Sequence, residues 1–336
     1  MAVRLKDIAQ AVGVSTVTVS KVLRGAPDIG EVTRARVLKC MEEMNYRPNL
    51  VARALASGQS FAVGLVVPDL VHPFFAELAK SLGGVLRESG FALVLASSEE
   101  DPELERSEID MLLNRGMDAI VVASCQDYDV RGPYLPKGGP PFLLMDRRFR
   151  SMETNFVGCN DVTVGELATR HLIDIGRTRI AHIGGTGTSP SVDRVQGYRN
   201  ALEKAGLQVQ ESYVVIRDRL EETGDSTGYH AMRELLALEA RPDAVFCYND
   251  LSAIGAMQAA LEAGVRIPQE IAFVGCGNLR YAPYLGVPLT SVDQATDHMG
   301  KVAGKMAIDL ARDPKQSVQA TLVEPTLVVR QSSVAF

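Results

Sequence analysis

The sequence contains no apolar run that approaches the roughly 18 uninterrupted residues that a membrane-spanning helix needs. Its first residues, MAVRLKDIAQ, lack the apolar core and cleavage site of a secretion signal. Cysteine is scarce: the five thiols are scattered along the chain, and no two have a CxxC spacing. These absences argue against a membrane protein, a disulfide framework and a zinc–thiolate site, and they favour a protein of the reducing cytoplasm.

Catalytic motifs are also missing. The segment GGTGTS at Gly184–Ser189 follows a predicted strand, but it lacks the Gly-Lys-Ser/Thr of a Walker loop and the third glycine of a dinucleotide fingerprint. The chain has no GxSxG nucleophile elbow, and its five histidines show no metal-ligand spacing. The sequence therefore predicts a protein that is not an enzyme and that carries no metal and no cofactor.

Charge is unevenly distributed along the chain. Residues 1–60 contain nine Lys/Arg and five Asp/Glu, a net charge of +4, whereas the remaining residues contain 26 and 36, a net charge of −10. The whole chain carries a net charge of −6, with 46% hydrophobic residues, which suits a globular protein of two or three domains. A small basic segment joined to an acidic body is typical of a nucleic-acid-binding head, although four excess charges could equally be a solvated face.

The first sixty residues predict three short helices. Apolar residues recur at helical spacing over Leu5–Val12, and Gly13 supplies the left-handed backbone of a tight turn. Ser15 is a good N-cap for a second helix, Thr16–Leu23, and a third helix is predicted over Glu31–Asn45. The residues expected to face inward from the third helix are Ala35, Leu38 and Met41.

The second helix carries an unusual outer face. Its members are Thr16, Val17, Ser20, Lys21 and Arg24. Threonine and valine are poor helix formers, so their choice at exposed positions indicates a docking surface. In a DNA major groove, lysine can donate to guanine and valine or threonine can touch a thymine methyl group. Hydroxyl side chains suit phosphate contacts, and the candidates are Ser15, Thr18 and Ser20. The alternative is a three-helix domain without a nucleic-acid role.

These residues resemble the lactose-repressor/galactose-repressor (LacI/GalR) family of bacterial transcription regulators. The run LKDIAQAVGVSTVTVSKVLRG and the later NYRPNLVARALASGQS carry the resemblance, which extends over essentially the whole chain. It implies that bases are read by Thr16, Val17 and Lys21, and that Ser15, Thr18 and Ser20 contact the DNA backbone. Arg24 lies where relatives often have Asn, so its contact is open.

The resemblance also implies a hinge helix over Asn49–Ser57 that orders on operator DNA and pairs across a dimer axis. Gly58 would end this helix. Leu55 would wedge between base steps of the minor groove, with Asn49 and Ala52 beside it. From composition alone, Leu55 could instead be an ordinary core residue of a helix.

From residue 61 onward, short apolar runs alternate with helical stretches, which predicts an α/β fold with two doubly wound parallel sheets. The predicted domains are a helix-turn-helix domain at 1–46, a hinge at 47–60 and a body at 61–336. Within the body, the first subdomain is expected over about 61–159 plus 290–324, and the second over about 160–289 plus 325–336. Such a body, of periplasmic-binding-protein type, holds a ligand between its subdomains, at the carboxyl ends of the strands.

Polar and aromatic residues that follow the predicted strands are candidates for the effector pocket. They are Phe74, Phe75, Asp146, Arg147, Arg194, Asn249, Asp250, Gly277 and Gln294. By resemblance, Arg194 would donate to ligand hydroxyls or a carboxylate, and Phe74 would stack on a ring. Asp146 and Asp250 could instead cap the helices or turns that follow them.

One departure from the family concerns the Gly-Tyr-Asp that sugar-binding relatives usually have after a strand of the second subdomain. Here the sequence is Gly275-Cys276-Gly277-Asn278, so the carboxylate is lost. Thr223 also stands where sugar binders often have an aromatic residue. A bulkier or anionic effector, such as a sugar acid or a sugar phosphate, is the resulting hypothesis.

The sequence therefore predicts a repressor-type regulator that binds double-stranded operator DNA as a homodimer under control of a small effector, such as a sugar or sugar derivative. The chain ends six residues after Arg330, so no tetramerising tail is expected. The alternative function is a cytoplasmic ligand-binding protein of periplasmic-binding-protein fold without specific operator binding.

Overall fold

A computed structural model describes residues 3–23, 26–46, 58–133, 138–185, 187–216 and 224–334. The chain divides into two compact units, a head at Met1–Ser60 and a body at Phe61–Phe336. Within the described ranges, no helix is both long and apolar enough to cross a membrane. Four residues with predicted DNA-binding roles lie outside the described part of the chain, as does Thr223: they are Arg24, Asn49, Ala52 and Leu55.

The head contains the three predicted helices: α1 (Leu5–Val12), α2 (Thr16–Leu23) and α3 (Glu31–Glu43). Helix α1 ends at Gly13, whose φ of 74° is in the left-handed region, as the predicted tight turn requires. The side chain of Ser15 accepts a hydrogen bond of 3.0 Å from the backbone N–H of Thr18, so the predicted N-cap of α2 is confirmed.

The buried face of α3 differs from the prediction. Leu38 is 49% exposed and Ala35 is also exposed, whereas Val37 and Met41 are buried against α1 and α2. The inward stripe continues to Met44, so it follows the i, i+4, i+7 spacing of a helix face. The predicted burial of Met41 is confirmed, whereas the predictions for Ala35 and Leu38 were wrong, because the face that packs on the core contains Val37, Met41 and Met44.

The body alternates strands and helices along its length. Its strands are β1 (Ala62–Val67), β2 (Ala92–Ser97), β3 (Ala119–Val122), β4 (Phe142–Met145), β5 (Phe156–Cys159), β6 (Ile180–Gly184), β7 (Val214–Ile216), β8 (Ala244–Cys247), β9 (Ala272–Cys276), β10 (Thr290–Asp293), β11 (Ala320–Val323) and β12 (Thr326–Val328). Its helices are α4 (Pro73–Glu88), α5 (Pro102–Asn114), α6 (Asp161–Asp174), α7 (Ser189–Lys204), α8 (Gly224–Ala237), α9 (Asp250–Glu262) and α10 (Thr296–Arg312).

The strands form two six-stranded sheets, one in each subdomain. The first has the order β11-β5-β4-β3-β1-β2, and the second has the order β12-β10-β9-β8-β6-β7. All neighbouring strands are parallel except β10 and β12. The central strands are buried because helices cover both faces, which explains their continuous apolar runs. The predicted pair of doubly wound sheets is confirmed.

The chain crosses between the subdomains three times, and one crossing lies later than predicted. The return to the first subdomain was expected at residue 290, but β10 still belongs to the second sheet, where Val292 lies opposite Cys276 of β9. Strand β12 needs this neighbour for its antiparallel pairing, so the return begins with α10. Helix α10 then packs on α4, where a Cβ on Gly300 would lie 2.8 Å from the carbonyl oxygen of Leu78.

Candidate nucleic-acid interface and inter-subdomain cleft

Helix α2 presents an outer face that its core contacts leave free. Val19 and Val22 are buried in the core of the head, on one side of the helix. On the other side, Thr16 is exposed and Val17 is 60% exposed. Ser20 is half-buried at the edge of this face. An exposed β-branched pair at the start of a short helix is costly for helix stability, which is consistent with a contact surface.

Lys21 lies on the same side of α2 and is ion-paired with Asp28 in the turn that follows the helix. Both side chains are substantially exposed, so the pair contributes little stability and can be exchanged for another partner. The hydroxyls of Ser15 and Thr18 lie 2.9 Å apart, at the N-terminus of α2, where an N–H-rich helix end favours an anion.

In the body, Arg194 is buried at the start of α7 and is already paired. Its Nε donates to Oδ1 of Asp161 at 2.8 Å, its Nη2 lies 2.7 Å from the same oxygen, and Nη1 donates to the carbonyl oxygen of Tyr248 at 2.6 Å. The guanidinium lies over the Tyr248 ring, 4.7 Å from its centroid. The pKa of Asp161 is raised because burial outweighs the attraction of Arg194.

A close approach of two helices brings this ion pair together. A Cβ on Gly165 of α6 would lie 2.2 Å from the carbonyl oxygen of Arg194, and a Cβ on Gly197 of α7 would lie 2.1 Å from that of Val162. Any side chain at either position would therefore push the helices apart. The pairing of Asp161 with Arg194 depends on two glycines that sequence reasoning did not select.

Arg147 is also buried and paired, within the first subdomain. Its guanidinium donates to both carboxylate oxygens of Glu100, at 3.2 and 3.1 Å, and to the carbonyl oxygen of Ser124 at 3.0 Å. It also lies over the ring of Phe75, 5.5 Å from the centroid. Burial alone would lower the pKa of Arg147, but the negative charge and hydrogen bonds of Glu100 help to raise it overall. The predicted Arg147 thus holds the loop after β3, and Glu100 is a partner that the sequence did not reveal.

Asp146, directly after β4, has a different environment. It is 5% exposed and has a φ of 64°. Its carboxylate lies 3.8 Å from Nε of Arg147, too far for a hydrogen bond, and the described residues supply no donor to it. Burial, together with the negative charge of Asp161, raises the pKa of Asp146 to about 7. Asp146 is therefore a buried acid without a donor in the described part of the chain.

Asn249 of the second subdomain meets His72 of the first subdomain across the cleft, and His72 is in turn bonded to the backbone of Phe74. The side chain of Asn249 caps α9 by accepting a 2.8 Å hydrogen bond from Ser252, and its Nδ2 lies 3.3 Å from Nε2 of His72. His72 in turn caps α4 by accepting from the N–H of Phe74 at 3.3 Å. Burial lowers the pKa of His72 to about 4, so the ring is neutral at pH 7. Phe74 itself is buried, edge-on to Phe75.

Asp250 supports a loop of the second subdomain. Its carboxylate accepts from the hydroxyl of Ser291 at 2.6 Å and from the backbone N–H of Leu279 at 2.8 Å. Burial raises its pKa to about 6, and these two hydrogen bonds limit the rise. The carboxylate of Asp250 thus fixes the Gly277–Leu279 loop rather than capping α9, which Asn249 caps.

Gln294 lies between β10 and α10, and Gly277 directly follows β9. The Gln294 side chain is 97% buried, and its Nε2 has no hydrogen-bond partner among the described residues. Gly277 contributes to the lining of a cavity of about 500 Å³ between the two subdomains. Of the nine predicted pocket residues, Gly277 is the one found in this lining, which otherwise consists of Glu77, Asn278, Leu279, Arg280, Pro283, Asp293, Ala295, Thr296, Asp297, His298 and Arg330.

Family models match both parts of the chain. Residues 4–49 match the lacI family of bacterial regulatory proteins, and residues 169–333 match a periplasmic binding protein-like domain. The ribose operon repressor of Escherichia coli K12 is 32% identical over 334 residues, which cover 98% of this chain and 99% of the relative. The chain belongs to the lacI family. It is a DNA-binding transcription regulator and not an enzyme, as predicted.

Further lacI-family relatives agree. The repressor PurR of Photorhabdus laumondii is 33% identical over 98% of this chain and 96% of its own length, and the regulator DegA of Bacillus subtilis is 32% identical over 99% and 98%. A solved CelR–cellobiose complex is 30% identical, covers 98% of this chain and 100% of its own, and has a TM-score of 0.74. Full-length lacI-family relatives favour the regulator over the ligand-binding protein without operator binding. Regulators of this family are cytoplasmic, as predicted.

The fold of the whole chain matches that of the Lac repressor. A structure of the Lac repressor dimer bound to operator and an anti-inducer has a TM-score of 0.84 with 22% identity, and the match covers 100% of both chains. At this level of identity, the similarity shows the fold alone: a helix-turn-helix head and a body of two α/β subdomains.

Proposed function

We propose that α2 reads bases of operator DNA in the major groove through Thr16, Val17 and Lys21. The observation that carries this proposal is the exposed Val17, which lies opposite the buried Val19 and Val22 on the same helix. Ser15 and Ser20 border this face and contact phosphates, as does Thr18. In this proposal, Lys21 leaves Asp28 for a guanine acceptor, which the exposure of the pair allows.

Two variants of the full chain test base reading by fluorescence anisotropy on operator and scrambled duplexes. Lys21→Ala removes the donor, so affinity for operator falls by about tenfold while preference for one base pair relaxes. Asp28→Asn is the matched control, because it frees Lys21 without removing it, and operator affinity is retained or increased. Equal losses on both duplexes for Lys21→Ala would contradict base reading.

The hinge at 47–60 lies largely outside the described residues, and its role is a proposal that rests on the family resemblance alone. Leu55 would wedge into the minor groove, with Asn49 and Ala52 beside it, and Arg24 would contact DNA at the end of α2. Leu55→Ala then weakens operator binding much more than nonspecific binding. The solved Lac repressor on operator is a dimer, and a homodimer of this chain would place its two hinges together in the same way.

The cleft supports an effector that donates hydrogen bonds. Asp146 is a buried carboxylate without a donor among the described residues, and Gln294 holds an N–H that none of them uses. Arg147 and Arg194 are already paired with the carboxylates of Glu100 and Asp161, so they do not favour the acidic effector that the loss of a carboxylate at Gly277 suggested. A hydroxyl-rich neutral ligand would supply donors to Asp146 and an acceptor to Gln294.

The names of two relatives agree with this ligand class. One is a ribose operon repressor, and the solved CelR complex contains cellobiose. We expect a small neutral sugar or sugar derivative in the cleft, oriented by Asp146, Arg194 and Gln294. Phe74, Phe75, Asn249 and Asp250 would shape the pocket and Gly277 would leave room in it.

A thermal-shift series on the full chain tests the effector class. Neutral sugars, sugar acids and sugar phosphates are compared, because a ligand that binds the folded body raises its unfolding temperature as occupancy increases. The expected stabiliser is neutral, and its effect is lost in Gln294→Leu but kept in Gln196→Leu, a substitution on the exposed surface of α7. Stabilisation by acidic ligands alone would contradict the proposed class.

A further inference from the structure

The last residues of the GGTGTS segment, Gly187–Ser189, touch the first subdomain directly. The backbone N–H of Tyr128 donates to the carbonyl oxygen of Gly187 at 2.8 Å. The backbone N–H of Arg148 donates to the hydroxyl of Ser189 at 2.9 Å. A Cβ on Gly187 would lie 2.1 Å from a carboxylate oxygen of Asp127, so this approach depends on glycine. The glycine-rich segment therefore has a structural use that is unrelated to phosphate.

An ion pair reinforces the same contact. Nη2 of Arg148 lies 2.6 Å from Oδ2 of Asp193 on α7, and Nη1 donates to the hydroxyl of Tyr128 at 2.9 Å. The Arg148 guanidinium also lies over the Tyr128 ring, 5.2 Å from its centroid. Burial alone would lower the pKa of Arg148, but the charge and hydrogen bond of Asp193 help to raise it overall. Arg148 thus joins a loop of its own subdomain to a helix of the other.

The position of this contact matters for movement of the subdomains. The chain crosses between subdomains next to β5 and β11 in the first sheet and next to β10 in the second, at one end of each strand order. The contact instead joins loops that follow β3, β4 and β6, further along both sheets. A contact at a distance from the crossings can break while the crossings act as the hinge.

We propose that Arg148, with the Gly187–Ser189 segment and Asp193, forms a latch that holds the two subdomains closed. The latch consists of two hydrogen bonds from backbone N–H groups, those of Tyr128 and Arg148, and of one ion pair. In the ion pair, the side chain of Arg148 is 41% exposed and that of Asp193 is 16% exposed. Such a contact is weak enough to open at equilibrium and is sensitive to salt. Its consequence for effector affinity rests on the proposed function, but its effect on subdomain distance does not.

Distance measurement between spin labels on the full chain tests the latch without DNA or effector. Labels at Arg131→Cys and Gln196→Cys report on the two sides of the latch, because both residues are exposed and lie on different subdomains. Cys40 is replaced by Ser, and the other four thiols are buried. The labelled chain is expected to give a dominant short distance that broadens as ionic strength rises.

Substitutions then separate the latch from its surroundings. Arg148→Ala with Ser189→Ala is expected to shift the mean distance to a longer value, and the exchanged pair Arg148→Asp with Asp193→Arg is expected to restore the short distance. Arg150→Ala is the matched control, because Arg150 stacks on the same Tyr128 ring but pairs with Asp129 of its own subdomain. An unchanged distance in the Arg148/Ser189 variant, or an equal shift in Arg150→Ala, would overturn the latch. Operator binding is measured separately, so its failure would not be mistaken for failure of the latch.

Discussion

Asp146 shows how a single residue can reduce the stability of the unliganded protein. Its carboxylate is buried without a donor among the described residues, whereas the carboxylate of Asp250 is equally buried but accepts two hydrogen bonds. Arg147 and Arg194 attract this charge without donating a hydrogen bond, and a buried carboxylate that accepts none is costly and is typical of a ligand site. The two aspartates therefore make a matched pair for mutation, since they differ chiefly in their hydrogen-bond donors.

The stability of Asp146→Asn should depend on pH in a defined direction. Burial raises the pKa of Asp146 from 3.8 to about 7, so the folded state binds more protons than the unfolded state between these values. The free energy of unfolding that this group contributes therefore falls as pH rises from about 4 through about 7. Asp146→Asn should gain stability over wild type by an amount on the order of 2 kcal/mol at pH 8, and much less at pH 5.

Urea unfolding of both proteins at the two pH values measures this difference. Comparison with wild type at each pH cancels the opposite contribution of His72 and His182, whose lowered pKa values reduce stability as pH falls below 6.5. Asp250→Asn should destabilise, because its amide keeps one acceptor oxygen and places an NH2 donor opposite the other donor, either Ser291 or Leu279. A less stable Asp146→Asn at pH 8 would show that the carboxylate has a structural partner.

At the residue scale, the sequence was enough to predict cleft residues at strand ends, but not the side chains with which they pair. Asp146, Arg147 and Asn249 follow strands, and the rule that ligands bind at strand ends was enough to select them. Their partners Glu100 and His72 are far apart in sequence from them, so no local pattern records the pairing. The same is true of Arg194, whose guanidinium is held by Asp161 from another helix.

At the scale of elements, the crossing of α6 and α7, which carries Arg194, should not tolerate an added side chain. Gly197→Ala would place a methyl group within 2.1 Å of the carbonyl oxygen of Val162, so the helices must separate. The expected loss is about 1–3 kcal/mol of unfolding free energy. Thermal and urea unfolding of the full chain measure it.

Gly84→Ala on α4 is the matched control for this crossing. It lies inside a helix, and a Cβ there meets nothing within 4 Å. Because alanine has the higher helix propensity, this variant should be neutral or more stable by up to about 1 kcal/mol. Similar losses of unfolding free energy in Gly197→Ala and Gly84→Ala would show that the close approach of α6 and α7 does not cause the loss.

Secondary-structure elements could be predicted from the sequence where a single hydrophobic pattern dominated. Apolar runs identified β1, β3, β8 and β9 because strands buried on both faces need them. The buried face of α3 could not be predicted in this way. Val37 and Leu38 are adjacent apolar residues, and only their tertiary contacts decide that Val37 is buried and Leu38 is exposed. The end of the second subdomain also depends on strand pairing. Strand β10 belongs to this subdomain because it lies between β9 and β12 in the second sheet.

At the scale of the whole molecule, the basic head and the acidic body have separate roles, DNA binding and effector binding. The net charge of +4 in residues 1–60 favours DNA binding, whereas the net charge of −10 in the remainder does not. The body holds the cleft and the proposed latch, and its two sheets share one strand order, so closure is a movement of two similar units. Regulation would follow from a ligand that binds one arrangement more tightly than the other.

The central claim is that this chain reads a specific DNA sequence through α2, and selection from a randomised duplex library tests it most directly. The full chain is incubated with the library at moderate salt, and bound duplexes are sequenced after successive rounds. A homodimer that reads DNA through α2 predicts enrichment of an inverted repeat with half-sites about one helical turn apart, and loss of one base preference in Lys21→Ala. Recovery of duplexes without a shared motif, or of the same motif with unchanged preferences in Lys21→Ala, would contradict the claim.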